Sequence, residues 1–226
     1  CNSPTPRNSL RSLLVARYSS LATRPMFNTT LTELYGVVPF DETLVLYDPS
    51  SPLSLPSVLL SLSPILILTF YLSWLILDRD IESVIVAGGQ LCNEFANKIL
   101  KRVLKQPRPH EALIGPGYGM PSAHSQFAGF FFAYWTLRLW IRWHNPHMTP
   151  RRKWAASFLL LVSALLICMA RIHLRYHTVE QTAVGFAVGV LLATLYFAAV
   201  GIARTLGVVR AITQWPAARR LHIHDE

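Results

Sequence analysis

Three short polar stretches interrupt an otherwise apolar chain: Lys101-x6-Arg108-Pro109, Pro121-Ser122-Ala123-His124 and Arg171-x5-His177. A lysine, two arginines, a serine and two histidines are side chains that can hold a phosphate and cleave it. The cations and the hydroxyl surround its oxygens, one imidazole attacks phosphorus, and the other protonates the leaving group. Each stretch abuts a long apolar segment, where charge is costly and usually has a function. No cluster of carboxylates accompanies them, as a two-metal phosphatase would require. The expectation is therefore a phosphohistidine route with no metal and no cofactor.

The elements that must position these residues read as membrane helices. The chain has 226 residues, 52% hydrophobic and 15% charged, against about 25% charged in an average soluble domain. Five apolar segments stand out: Leu53–Leu77, Ile81–Leu100, His124–Trp143, Trp154–Ala170 and Gln181–Ala203. The expected fold is an all-α polytopic membrane bundle of about five spans over 41–226, with 1–40 as an N-terminal extension. The formal charge of +9 does not point to nucleic acid, because the basic residues sit at the ends of apolar segments and form no runs. Three cysteines give no disulfide framework. Cys92 and Cys168 read as packing residues.

Alternating spans put all three polar stretches on one side of the bilayer. The other side carries Arg151-Arg152-Lys153 and Arg219-Arg220, which the positive-inside rule assigns to the cytosol. The phosphate chemistry then faces the lumen or exterior. Residues 1–25 hold four arginines and no acid. They read either as a transit peptide or as sequence upstream of a natural start at Met26. Asn28-Thr29-Thr30 is a glycosylation sequon.

Individual residues admit plainer readings too. Gln90, Asn93, Glu94, Asn97 and Lys101 share one helical face. They form either a tolerated packing face or a supporting layer running down to Lys101. Lys101 and Arg108 could touch lipid headgroups, but Pro107 and Pro109 stiffen the chain around Arg108 and favour a fixed guanidinium. Ser122 suits a helix N-cap, and the same helix start suits an anion. His177 can attack only if its other ring nitrogen is held, and Gln181 and Glu180 are both in reach. His144, His147, His173, His222 and His224 read as surface residues, the last two on a solvated tail. Gly185-x3-Gly189 allows close helix packing.

Together these motifs resemble the type-2 phosphatidic acid phosphatase superfamily and, within it, the fungal dolichyl diphosphatases. The resemblance runs from about Asp41 to the C-terminus. It rests on Gly88-Gly89-Gln90-Leu91 with Asn93-Glu94 and Asn97, Lys101 to Pro109, Tyr118 to Phe127, Arg171 to Gln181, and Trp215-Pro216. It implies His177 as nucleophile and His124 as acid and then base. It also implies that Lys101, Arg108, Ser122, Arg171 and the Ala123 N–H bind the phosphoryl oxygens. The superfamily pattern has Gly at 123 and Asp at 181; Gln181 is similar to the dolichyl diphosphatases. The implied activity is hydrolysis of dolichyl diphosphate to dolichyl phosphate and phosphate at the lumenal face of the endoplasmic reticulum membrane, recycling the carrier lipid of N-glycosylation. The expected partners are this polyprenyl lipid and the bilayer, with no nucleic acid and no obligate protein. A broader lipid phosphatase and a non-catalytic polyprenyl-phosphate binder are the alternatives.

Overall fold

The computed structural model describes residues 52–109, 117–143 and 147–225. The extension 1–40, its sequon, His144 and part of the loop 106–121 lie outside them.

The first apolar segment forms two helices in line, α1 (Ser54–Ser61) and α2 (Ser63–Asp78). The break at Leu62 was not foreseen, but its cause is in the sequence. Pro64 stands in the first turn of α2; it has no N–H to give the preceding turn, and a new helix tolerates it there. Next comes α3 (Ile81–Leu104), capped by the Asp80 side chain on Glu82 N–H at 2.9 Å. It ends at Lys105 in the left-handed conformation, which turns the chain back toward the bundle.

Helix α4 (Ala123–Leu137) continues through a π-helical turn over Arg138–Arg142. Helix α5 (Pro150–His173) begins earlier than its apolar run, because Thr149 caps it and Pro150 opens it. Helix α6 (Val179–Thr205) starts on a capping box made by Thr178 and Gln181. Two short helices, α7 (Val208–Thr213) and α8 (Pro216–Arg220), end the chain. Among the described residues there is no strand.

Five helical rods thus occupy the five expected segments. Three of them, α1–α2, α5 and α6, are long and apolar enough to cross a bilayer by length and composition. The α3 rod falls short because Gln90, Asn93, Glu94, Asn97 and Lys98 dilute its apolarity. The regular part of α4 is only 15 residues long. Outward-facing residues such as Leu66, Phe70, Phe158, Leu159, Leu191 and Leu195 are exposed, as a lipid-contacting surface requires.

Helix α4 is the hub, with both α3 and α6 packed on it. A Cβ on Gly185 would lie 2.6 Å from the Ser122 carbonyl, and one on Gly189 would overlap the Gln126 carbonyl. Only glycine lets α6 lie this close to α4, as the Gly-x3-Gly spacing suggested. Tyr71, Val86, Phe130, Tyr134 and Phe197 fill the core between these helices.

Away from the polar motifs, the bundle closes on Glu82. This buried carboxylate accepts from Tyr134 Oη at 2.5 Å and pairs with Arg204 at 2.6 Å and Arg138 at 3.2 Å. The chain terminus joins here. Ile81 N–H donates to His224 O at 2.8 Å, His224 N–H donates to Arg79 O at 3.1 Å, and Arg204 grips Asp225. The tail is therefore paired along its backbone, in correction of the solvated tail expected from sequence. His222 and His224 do keep exposed side chains.

Candidate active site

The site is assembled at the opposite end of the bundle from Glu82. There the C-terminal ends of α3 and α5 meet the N-terminal ends of α4 and α6. All three polar stretches converge as the span alternation required.

Gln181 holds the convergence together. Its amide nitrogen donates to the Pro107 carbonyl at 2.9 Å, its backbone carbonyl accepts from Ser122 N–H at 3.1 Å, and its Oε1 lies 3.3 Å from His177 Nδ1. One residue thus ties the Arg108 loop, the start of α4 and the His177 turn. The bond to Pro107 fixes which end of the amide is nitrogen. Oε1 therefore faces His177 and accepts from Nδ1–H, so Nε2 carries the lone pair. Gly119 makes room for this arrangement: a Cβ there would lie 2.7 Å from the Gln181 amide. Of the two candidate orienters, Gln181 is buried in this network and Glu180 is exposed.

His177 is buried, and its imidazole is pushed down to about 3. Burial is the largest cause. The charges of Arg171, Lys101 and Arg108 add to it, and the Gln181 bond opposes it. All three cations of the motifs therefore act on this one ring. His177 is neutral at physiological pH, the form a nucleophile needs.

Arg171 is 5% exposed and its guanidinium lies 4.1 Å from the Tyr176 ring centroid. Its Nη1 donates to Ser61 Oγ at 3.1 Å, and its buried Nε has no hydrogen-bond partner among the described residues. Arg108 likewise keeps a buried Nε without a partner among the described residues. Buried guanidinium donors left over in this way suit an anion with several oxygens. Lys101 is half-buried on the last turn of α3.

Ser122 stands at the N-cap position of α4, but its side chain caps nothing. Its hydroxyl is fully buried and accepts from Ser125 Oγ at 3.1 Å. Capping therefore does not account for this serine. Ala123 opens α4, so its N–H has no intrahelical acceptor. His124 is half-buried, with Nε2 3.1 Å from the Ser61 carbonyl.

The polar face of α3 divides. Asn97 Nδ2 donates to the Pro121 carbonyl at 3.2 Å and to Gln126 Oε1 at 2.8 Å. Gln126 Nε2 in turn donates to Asn93 Oδ1 at 2.9 Å. These amides brace the start of α4 behind Ser122 and His124. The Glu94 carboxylate lies 4.0 Å from Lys98 on a more exposed flank. Two participants were missed from sequence, Gln126 and Ser61. Ser61 had a signal: Ser54, Ser57 and Ser61 are the buried residues of α1, at helical spacing on one face of an otherwise apolar segment.

Among the described residues no three His, Cys, Asp or Glu side chains gather.

Residues 82–204 match the PAP2 superfamily. The chain is 43% identical over 197 residues to a protein of Saccharomyces cerevisiae named dolichyldiphosphatase, covering 84% of this chain and 82% of the yeast protein. It is 34% identical over 174 residues to human dolichyldiphosphatase 1, covering 74% and 72%. A Schizosaccharomyces pombe protein named palmitoyl-protein thioesterase-dolichyl pyrophosphate phosphatase fusion 1 is 33% identical over 168 residues, which is 74% of this chain and 27% of that protein. No solved structure matches. With the matched segment reaching from Glu82 to Arg204 and enclosing Lys101, Arg108, His124, Arg171 and His177, this chain belongs to the PAP2 superfamily.

Proposed function

We propose that this protein hydrolyses dolichyl diphosphate to dolichyl phosphate and inorganic phosphate at the lumenal face of the endoplasmic reticulum membrane, recycling the carrier lipid of N-glycosylation. The substrate class follows the names of the relatives above. The chemistry rests on one observation: Gln181 holds His177 by Nδ1, where the positive charges of Arg171, Lys101 and Arg108 bear on the ring.

In the first step His177 Nε2 attacks the terminal phosphorus. A P–N bond forms as the bridging P–O bond breaks, and dolichyl phosphate leaves with a proton from His124. Arg108, Arg171 and Lys101 hold the three transferring oxygens, with the Ala123 N–H and Ser122 hydroxyl as further donors. In the second step His124 takes a proton from water. The hydroxide attacks phosphorus, the P–N bond breaks, and phosphate and free His177 result. Gln181 stabilises the positively charged ring of the intermediate through a neutral acceptor. A diphosphate suits such a site, because its leaving group is itself a phosphate and needs less protonation.

The basic residues Arg151–Lys153, Arg204 and Arg219–Arg220 lie toward the end of the bundle away from the site, which supports a lumenal site by the positive-inside rule. The test is phosphate release by purified protein in detergent, with EDTA present, from dolichyl diphosphate and from phosphatidate, beside His177→Ala. Release from dolichyl diphosphate that is lost in the variant and indifferent to EDTA is expected. Preference for phosphatidate would overturn the substrate, and dependence on metal would overturn the mechanism.

A further inference from the structure

We propose that Ser61, on the first apolar helix and outside the matched segment 82–204, is a positioning residue for both the phosphate clamp and the acid. Its hydroxyl holds Arg171 and its backbone carbonyl holds His124. The proposal rests on the phosphohistidine reading above.

Two independent contacts carry it. Arg171 Nη1 donates to Ser61 Oγ at 3.1 Å, while that hydroxyl donates its own proton to the Ser57 carbonyl at 2.9 Å. The hydroxyl is thereby oriented with its lone pairs toward Arg171. With Nη1 occupied and the ring of Tyr176 4.1 Å from the guanidinium carbon, the guanidinium plane cannot turn freely. Its Nε edge, which has no partner among the described residues, remains for a ligand. A side-on grip through that edge is the geometry in which arginine binds two phosphate oxygens.

The second contact fixes the tautomer of His124. A carbonyl only accepts, so the 3.1 Å contact from Nε2 to Ser61 O requires the proton on Nε2. Nδ1 then carries the lone pair in the neutral ring, so His124 acts as the acid from its doubly protonated form, giving the Nδ1 proton to the leaving group and taking one from water at the same atom in the second step. The carbonyl is available because α1 ends at Ser61. The last carbonyls of a helix lack intrahelical donors, and Pro64 is what ends this one. The chain of cause runs from Pro64, to the break at Leu62, to the freed carbonyl, to the ring orientation of His124. Ser61 is 2% exposed in a helix whose other faces are apolar, so the hydroxyl is not there to meet water.

The test uses the full chain in detergent as wild type, Ser61→Ala, Ser61→Thr, Arg171→Ala and the double variant Ser61→Ala/Arg171→Ala. It measures kcat and KM for dolichyl diphosphate, inhibition by inorganic phosphate, and the thermal midpoint. A hydrogen bond to a buried cation sets the scale at about tenfold. Ser61→Ala is expected to raise KM and weaken phosphate inhibition by about that factor, more than it lowers kcat. Ser61→Thr, which keeps a hydroxyl able to bond the Ser57 carbonyl, is expected to restore most of the loss. In the Arg171→Ala background Ser61→Ala is expected to add nothing, because the two act as a unit. Wild-type KM in Ser61→Ala, or losses that multiply in the double variant, would overturn the proposal. So would a loss that follows the thermal midpoint and is not restored by threonine. Phosphate binding read by thermal shift in the same variants tests Ser61 even if dolichyl diphosphate proves not to be the substrate, so the two failures are distinguishable.

Discussion

Gln181 accepts from His177 Nδ1 at 3.3 Å with one end of its amide and donates to the Pro107 carbonyl at 2.9 Å with the other. This is a task a carboxylate cannot perform. Gln181→Glu would place a second acceptor against Pro107 O and leave that carbonyl without its donor. It is expected to lower both kcat and the thermal midpoint, although it keeps an acceptor for the imidazole. Gln181→Ala is expected to lower kcat by about a hundredfold. Glu180→Ala, on an exposed position, is expected to leave kcat near wild type. Loss of activity in the Glu180 variant alone would reverse the assignment.

The depressed basicity of His177 makes a stability prediction. Its pKa in the folded protein is about 3, below the roughly 6.5 of an unfolded chain. Below about pH 6.5 the unfolded state takes up a proton that the folded state refuses, so folding stability falls with pH. By pH 5 this contribution amounts to about 2 kcal/mol. Thermal midpoints of wild type and His177→Asn, measured from pH 7.5 to 5, are expected to converge or cross as pH falls. Parallel curves would show that His177 is protonated in the folded protein.

Glu82 and Asp225 both pair with Arg204, but only Glu82 is buried. Glu82→Ala leaves the guanidinium groups of Arg138 and Arg204 around an empty carboxylate position. It is expected to cost about 3–5 kcal/mol. Asp225→Ala removes a partner whose side chain is 30% exposed and is expected to cost less than about 1 kcal/mol. Chemical denaturation in mixed micelles distinguishes them. Neither change is expected to alter kcat per folded molecule, since the cluster lies at the far end of the bundle.

Arg102, Lys105 and Arg175 are exposed, and Lys105 and Arg175 both occupy left-handed backbone at the turns that precede Arg108 and His177 in the chain. We propose that they meet the second phosphate of a diphosphate. Neutralising them is expected to raise KM for diphosphates more than for monophosphates. Equal effects on both would show that they serve only as general surface charge.

The sequence by itself determined the helical membrane character and the end of the bundle at which the three polar stretches meet. Each of these is a local property. Apolar length sets the rods, and alternation of rods sets the side on which Lys101, His124, Arg171 and His177 emerge. The tertiary structure alone decided which neighbour each of them uses. Gln181 and Glu180 both lie within reach of His177 along a helix, and only the path of the Pro107 loop selects the amide. Glu94 shares a helical face with Asn93 and Asn97, yet Gln126 on α4 meets only the two asparagines. Ser61 lies 110 residues before Arg171, and its contact exists only because α1 packs on α5. Such pairings depend on where two distant segments are brought together, and no spacing along one chain encodes that distance.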